Sequence, residues 1–291
     1  MTVIAEAPAV KTAGTPRFLW LDLTRQCQLN CGHCHNNSGP DGTHGTMTAE
    51  DWRSVLGQAA AFGIPGVQFT GGEVTLHPNA PDLIGYARQL GLKVEVYSNL
   101  VHVTEAWWEL LQCDGVTLAT SYYSDRAEEH NAVTARPSHA RTRVNIVKAM
   151  EYGIPIRVSV IVADASQTGE ETRRELEALG VSDVRVDHVR PFGRGANGQE
   201  PHTGGLCGRC GTGRASIGPD GSVSPCVFST WLGVGNVQDA PLAAILGGPE
   251  MARANAAIRA ERGVSAKPCG PDDNDDECSP GFPGSECTPR N

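Results

Sequence analysis

Leu21-Asp22-Leu23-Thr24-Arg25-Gln26-Cys27-Gln28-Leu29-Asn30-Cys31-Gly32-His33-Cys34 is the stretch on which the reading of this 291-residue chain turns. The apolar run Phe18–Thr24 leads directly into three cysteines spaced C-x-x-x-C-x-x-C. Three thiolates on one tight loop can hold three irons of a cubane cluster and leave the fourth iron without a protein ligand. Electron-carrying [4Fe–4S] proteins use four cysteines, so the missing fourth points to an open iron position where a substrate or cofactor binds. The spacing also differs from the C-x-x-C pairs of zinc ribbons. Zinc and a chance clustering are the alternatives that the triad alone leaves open.

Working outward, short β-rich runs alternate with helical patterns as far as residue 190. After Phe18–Thr24, a helix opens at Thr48-Ala49-Glu50-Asp51-Trp52, with a threonine cap and acids in its first turn, and ends near Gly63. Strand Gly66–Thr70 is followed by a helix over Asn79–Leu90, stopped by Gly91. The same unit recurs as Lys93–Ser98 with Thr104–Gln112, and as Gly115–Tyr122 with Ser138–Tyr152. Pro155–Val162 with Gly169–Leu179, then Asp183–Val189, complete six strands. Such alternation predicts a parallel sheet with helices on its outer face. The cysteine loop follows strand one, and Gly71-Gly72-Glu73 closes strand two after Val67-Gln68-Phe69-Thr70, so both fall on one rim of the sheet.

The triad and the Gly-Gly-Glu segment together resemble the radical S-adenosylmethionine (radical SAM) superfamily. The resemblance implies a partial (β/α)6 TIM-like barrel in the α/β class, with its chemistry at the C-terminal strand ends. It further implies a [4Fe–4S] cluster on Cys27, Cys31 and Cys34, with SAM chelated at the open iron and cleaved to a 5′-deoxyadenosyl radical that abstracts hydrogen. Gly71, Gly72 and Glu73 would contact the SAM amino group: glycines allow close backbone approach, and a carboxylate suits an ammonium. Ser98 and Asn99, ending strand three, would contact the ribose or carboxylate. Other polar residues on the rim are Tyr123 and Asp125, Arg157 and Ser159, and Asp187, His188 and Arg190. Each of these can equally be a satisfied polar residue of a loop or sheet edge.

Beyond Arg190 the glycine-rich link Pro191–Gly198 marks a change of composition. We divide the chain there into a flexible lead (1–17), the barrel (18–195) and a small cysteine-rich domain with its tail (196–291). Cys207 and Cys210 precede a hairpin signal, Pro219-Asp220-Gly221 between two alternating runs, and Cys226 follows it. This order resembles the auxiliary-cluster domains called twitch and SPASM, with a zinc site as the structural alternative. Six cysteines remain once the triad and Cys113 are set aside, too few for two fully ligated clusters. The economical reading is one auxiliary [4Fe–4S] cluster on Cys207, Cys210, Cys226 and Cys269. Cys278 and Cys287 are then spare, with Cys269 the third candidate, as thiols able to give a hydrogen atom to a substrate radical and so invert a stereocentre. Cys113, after an apolar helix, reads as a buried inert thiol.

Ten cysteines without the basic and apolar start of a signal peptide predict a reducing, cytoplasmic setting and metal ligation. No run of about 18 apolar residues is present, so no membrane span is expected. A net charge of −9 argues against nucleic acid and is compatible with a cationic substrate. The short lead before strand one favours a small substrate over a peptide. The expectation is therefore an enzyme of antibiotic or aminoglycoside-like natural-product biosynthesis, an epimerase in preference to a dehydrogenase, with flavodoxin or ferredoxin as reductant. A peptide-modifying enzyme, cross-linking or epimerising, is the alternative.

Overall fold

Apolar residues of the first helix fall at Trp52, Val55, Leu56 and Ala59, the i, i+3, i+4, i+7 pattern of a one-sided stripe, and all four are buried. The computed structural model describes residues 17–163, 168–208, 210–211 and 213–262. The tail cysteines Cys269, Cys278 and Cys287 lie outside the described residues. In chain order the first elements are β1 (Phe18–Asp22), α1 (Ala49–Ala61), β2 (Gly66–Thr70), α2 (Ala80–Gln89) and β3 (Lys93–Tyr97). Then come α3 (Glu105–Leu111), β4 (Val116–Tyr122), α4 (Ala127–Thr134), α5 (His139–Glu151), β5 (Ile156–Val162), α6 (Glu170–Ala178) and β6 (Asp183–His188). The C-terminal part adds β7 (Arg214–Ile217), β8 (Ser222–Ser224), β9 (Gly235–Asn236), α7 (Leu242–Leu246) and α8 (Pro249–Arg262).

The expected threonine cap forms as a capping box. Thr48 Oγ1 accepts from the Asp51 N–H at 3.2 Å, and Asp51 Oδ2 accepts from the Thr48 N–H at 2.9 Å. In α2, Ala80, Leu83, Ile84 and Ala87 repeat the stripe of α1 and are likewise buried. Every residue of β2 is buried, as a strand covered on both faces requires. Each fully buried leucine or isoleucine here contributes about 1.5–3 kcal/mol.

The sheet order is β6-β5-β4-β3-β2-β1-β7-β8-β9, parallel from β6 through β7 and antiparallel beyond. It is the open parallel α/β sheet of a partial barrel. The Pro219-Asp220-Gly221 hairpin forms as read, with the Gly218 N–H donating to Ser222 O at 2.8 Å. What the pattern did not reveal is where that hairpin goes. β7 pairs in parallel with β1, Leu21 opposite Ile217, so the cysteine-rich segment continues the barrel's own sheet. α4 and α8 were also not anticipated, and Cys113 is only partly buried against the core.

Candidate functional site

β1 ends at Asp22, and the chain then turns into the cysteine loop, which is tied down from several sides. Cys27 N–H donates to Gly39 O at 3.0 Å, and Leu23 N–H to Thr70 O at 2.9 Å. The C-terminal carbonyls of α4 accept from the loop: Asn30 N–H reaches Thr134 O at 3.1 Å and Gly32 N–H reaches Val133 O at 3.2 Å. Arg194, from the glycine-rich link, donates to Cys31 O at 2.8 Å and to Ser38 O at 2.7 Å. Gly193 has φ of 54°, and a side chain there would collide with the carbonyls of Cys34 and His35, so the link lies directly on the loop.

Gly71 and Gly72 end β2 against the same loop. A Cβ on Gly72 would run into the Gln26 carbonyl, and Gly72 N–H donates to Thr24 O at 2.6 Å. The glycines thus serve chain-to-chain approach as well as lining the cavity. Glu73 stands behind the wall with 1 % exposure. Its oxygens accept from Ser98 Oγ at 2.7 Å, Thr75 Oγ1 at 2.8 Å and the Asn99 backbone N–H at 2.8 Å. Burial raises this carboxyl above the usual range, against the pull of those hydrogen bonds. Glu73 and Ser98 therefore brace the ends of β2 and β3, while Asn99 faces inward.

Cys27, Cys31 and Cys34 all line one cavity at the C-terminal strand ends, about 1180 Å³ of space counted with its solvent-open mouth. Gly71, Gly72, Asn99, Tyr123, Ser159, Asp187, His188 and Arg190 line it too, as the strand-end placement predicted. Asp125 instead accepts from Thr172 Oγ1 at 3.0 Å, and Arg157 makes an ion pair with Glu95 at 2.8 Å. Both serve the scaffold. Sequence reading missed His33, His35, Arg194, Tyr97 and Phe228 in the wall. The two histidines flank Cys34 and were visible as ligand-type residues inside the motif. Arg194 and Phe228 carried no local signal.

Burial favours the neutral forms of the titratable groups in this wall. Burial, followed by the Glu73 charge, pushes the Cys27 thiol up to about 12; burial and the neighbouring Cys34 do the same to Cys31. Sulfurs so placed lose their protons when a metal replaces them. Burial lowers His33 to about 4, with His35 and Arg194 adding to it. His33 Nδ1 and His35 Nε2 are buried with no hydrogen-bond partner among the described residues. Three thiols and orphaned imidazole nitrogens on one cavity fit a cluster with a polar ligand beside it.

A second cysteine group lies close by. Cys207 and Cys210 sulfurs are 3.9 Å apart, and Cys226 is within hydrogen-bonding reach of Cys210. These contacts, then burial, raise the Cys210 thiol well above its ordinary value. The group packs with Trp20, Phe192, Leu206 and Ile258. Phe228 joins the two regions, its ring 4.9 Å from His35 and 6.0 Å from Phe192.

Two family models match the chain. The family model described as "Radical SAM superfamily" matches residues 21–179, and that of the SPASM "Iron-sulfur cluster-binding domain" matches residues 207–279. The subtilosin biosynthesis protein AlbA of Bacillus subtilis is 27% identical over 200 residues, 66% of this chain and 44% of that protein. The PqqA peptide cyclase of Streptomyces rochei is 26% identical over 191 residues, 65% of this chain and 51% of that protein. The chain thus spans about half the length of these curated relatives. Structures of Streptococcus suis SuiB share the fold. One, bound to S-adenosylmethionine, has a TM-score of 0.68 at 16% identity, covering 84% of this chain and 68% of that one. Another, bound to precursor peptide SuiA, has a TM-score of 0.67 at 17% identity, covering 84% and 67%.

Proposed function

This chain belongs to the radical SAM superfamily, and on that premise we propose that it is a SPASM-containing enzyme that modifies a peptide by hydrogen abstraction. The carrying observation is the convergence of Cys27, Cys31, Cys34, Gly71, Gly72 and Asn99 on one open cavity, beside a second cysteine group packed among apolar side chains. When bound, the cluster and SAM supply the reducing electron and the hydrogen-abstracting radical chemistry. The chain's own residues then have separate tasks. Cys27, Cys31 and Cys34 hold the cluster and leave one iron for SAM. Gly71, Gly72 and Asn99 flank the position that SAM would fill. Trp20, Val227 and Phe228 make part of the wall apolar and keep water from it, while Tyr123 and Ser159 offer hydrogen bonds.

The peptide reading rests on the relatives, whose names place AlbA in bacteriocin biosynthesis and the cyclase on the PqqA peptide, and on SuiB binding SuiA. They favour it over the small natural product of the initial expectation. Cys207, Cys210 and Cys226 hold the auxiliary cluster, with Cys269 completing it. Cys278 or Cys287 serves as hydrogen donor if the outcome is epimerisation. A division of labour at residue 195 and delivery of electrons by flavodoxin or ferredoxin belong to the same proposal. Among the described residues no helix is long and apolar enough to cross a membrane.

The test uses reconstituted enzyme, SAM, dithionite and the precursor-like peptide encoded nearest its gene, in deuterated water. A product lighter by the mass of H2 identifies oxidation, and its fragmentation pattern separates a cross-link from a new double bond. An isobaric product carrying solvent deuterium identifies epimerisation. SAM cleavage with the peptide returned unaltered sinks the peptide reading.

A further inference from the structure

The side-chain amide of Asn99 has an orientation fixed by its surroundings. Its Oδ1 accepts from the Val101 backbone N–H at 2.9 Å and from Gln28 Nε2 at 3.0 Å. A backbone N–H can only donate, so the oxygen must sit on that side, which settles the choice between the two amide flips. The Nδ2 group is thereby aimed at Cys27 Sγ, 3.6 Å away, and at Gln28 Oε1, 3.3 Å away, with one N–H for each. The Asn99 main chain is pinned as well, its N–H donating to Glu73 Oε2 at 2.8 Å. Gln28 follows Cys27 directly and faces Asn99 amide to amide, so sulfur, donor and lock form one unit.

Asn36 supplies the contrast. The Ser38 N–H donates to Asn36 Oδ1 at 3.3 Å, which turns its Nδ2 toward Asp22 Oδ2 at 3.5 Å and its oxygen toward the Cys34 sulfur, 3.0 Å away. The same residue type beside another triad sulfur thus presents the opposite end.

We infer that Asn99 donates an N–H···S hydrogen bond to the Cys27 ligand and so raises the reduction potential of the cluster at this site, with Gln28 holding the amide in that orientation. The inference rests on the proposed cluster site. Its physics is simple. Reduction adds negative charge that is shared by the thiolate sulfurs, and a donor beside one of them stabilises the reduced form more than the oxidised one. The position is partly buried, where water screens such a bond less than in bulk.

The experiment is a redox titration followed by EPR, with the cluster in question identified by the change of its signal on adding SAM. Asn99→Ser is neutral, keeps an oxygen that can accept the Val101 N–H in a serine turn, and is too short to reach Cys27. Asn99→Leu removes cap and donor together. Both variants, loaded with iron as the wild type is, should shift the one-electron equilibrium about tenfold toward the oxidised state, a lowering of about 59 mV. An unchanged potential in the loaded serine variant overturns the inference, because a merely structural role would leave the potential in place. If neither variant loads, wild-type protein labelled with 15N in asparagine decides. A 15N coupling on the reduced, SAM-responsive cluster supports the bond, and its absence overturns it. Failure of the wild type itself to bind a SAM-responsive cluster overturns the proposed function and not this bond alone.

Discussion

The two cysteine groups of this protein differ in what surrounds them. The loop carrying Cys27, Cys31 and Cys34 is held by polar ties, from α4 carbonyls on one side and the Arg194 guanidinium on the other, and its sulfurs face an open cavity. Cys207, Cys210 and Cys226 are packed among Trp20, Phe192, Leu206 and Ile258. Polar ties fix a loop's shape while leaving one face clear, which a reacting site requires. Apolar packing closes a site off, which suits a centre that stores or passes electrons without meeting substrate directly. Under the proposed function, the first group would be where the radical chemistry starts and the second would hold the auxiliary cluster.

The largest effect should come from breaking one group at a time. Replacing Cys27, Cys31 and Cys34 together by alanine should remove about four irons per chain and abolish SAM cleavage. Cys210→Ala with Cys226→Ala should remove the other cluster, leave SAM cleavage in place, and stop peptide product. Iron and sulfide counts with chromatography of SAM products check both, and equal losses in the two variants would erase the contrast. A smaller effect is expected of Arg194→Ala, which withdraws a charged donor from the Cys31 and Ser38 carbonyls at about 1.5–3 kcal/mol per bond. Iron should leave the SAM-responsive cluster faster in the presence of a chelator, with the auxiliary cluster unmoved. The smallest belongs to Thr48→Ala, which removes the α1 cap at about 1 kcal/mol and should lower the melting temperature without altering either cluster.

Much of this was legible in the chain because periodic patterns report what is locally repeated. α1 and α2 carry apolar stripes at helical spacing, and the strands are short apolar or β-branched runs between turns. α4 escaped because its buried residues are His130 and Thr134, which leave no apolar stripe. The pairing of β7 with β1 escaped because Arg214–Ile217 is far in sequence from Phe18–Asp22, and register is written in no local pattern. Gly71-Gly72-Glu73 was found for its chemistry, yet its packing against Thr24 and Gln26 is what makes both glycines necessary. Asn99 was read as a ligand contact, while its hydrogen bond to a cysteine sulfur emerged only with the third dimension.

The position of β1 between β2 and β7 has a mechanical consequence. The strand that bears the first cysteine loop is the seam of the sheet, hydrogen-bonded on both edges. Parting the barrel from the auxiliary hairpin would tear the ladder along the very strand that positions the reactive loop. The reactive loop and the auxiliary hairpin are thus bound to one another through a single strand, as two pages are held by one spine.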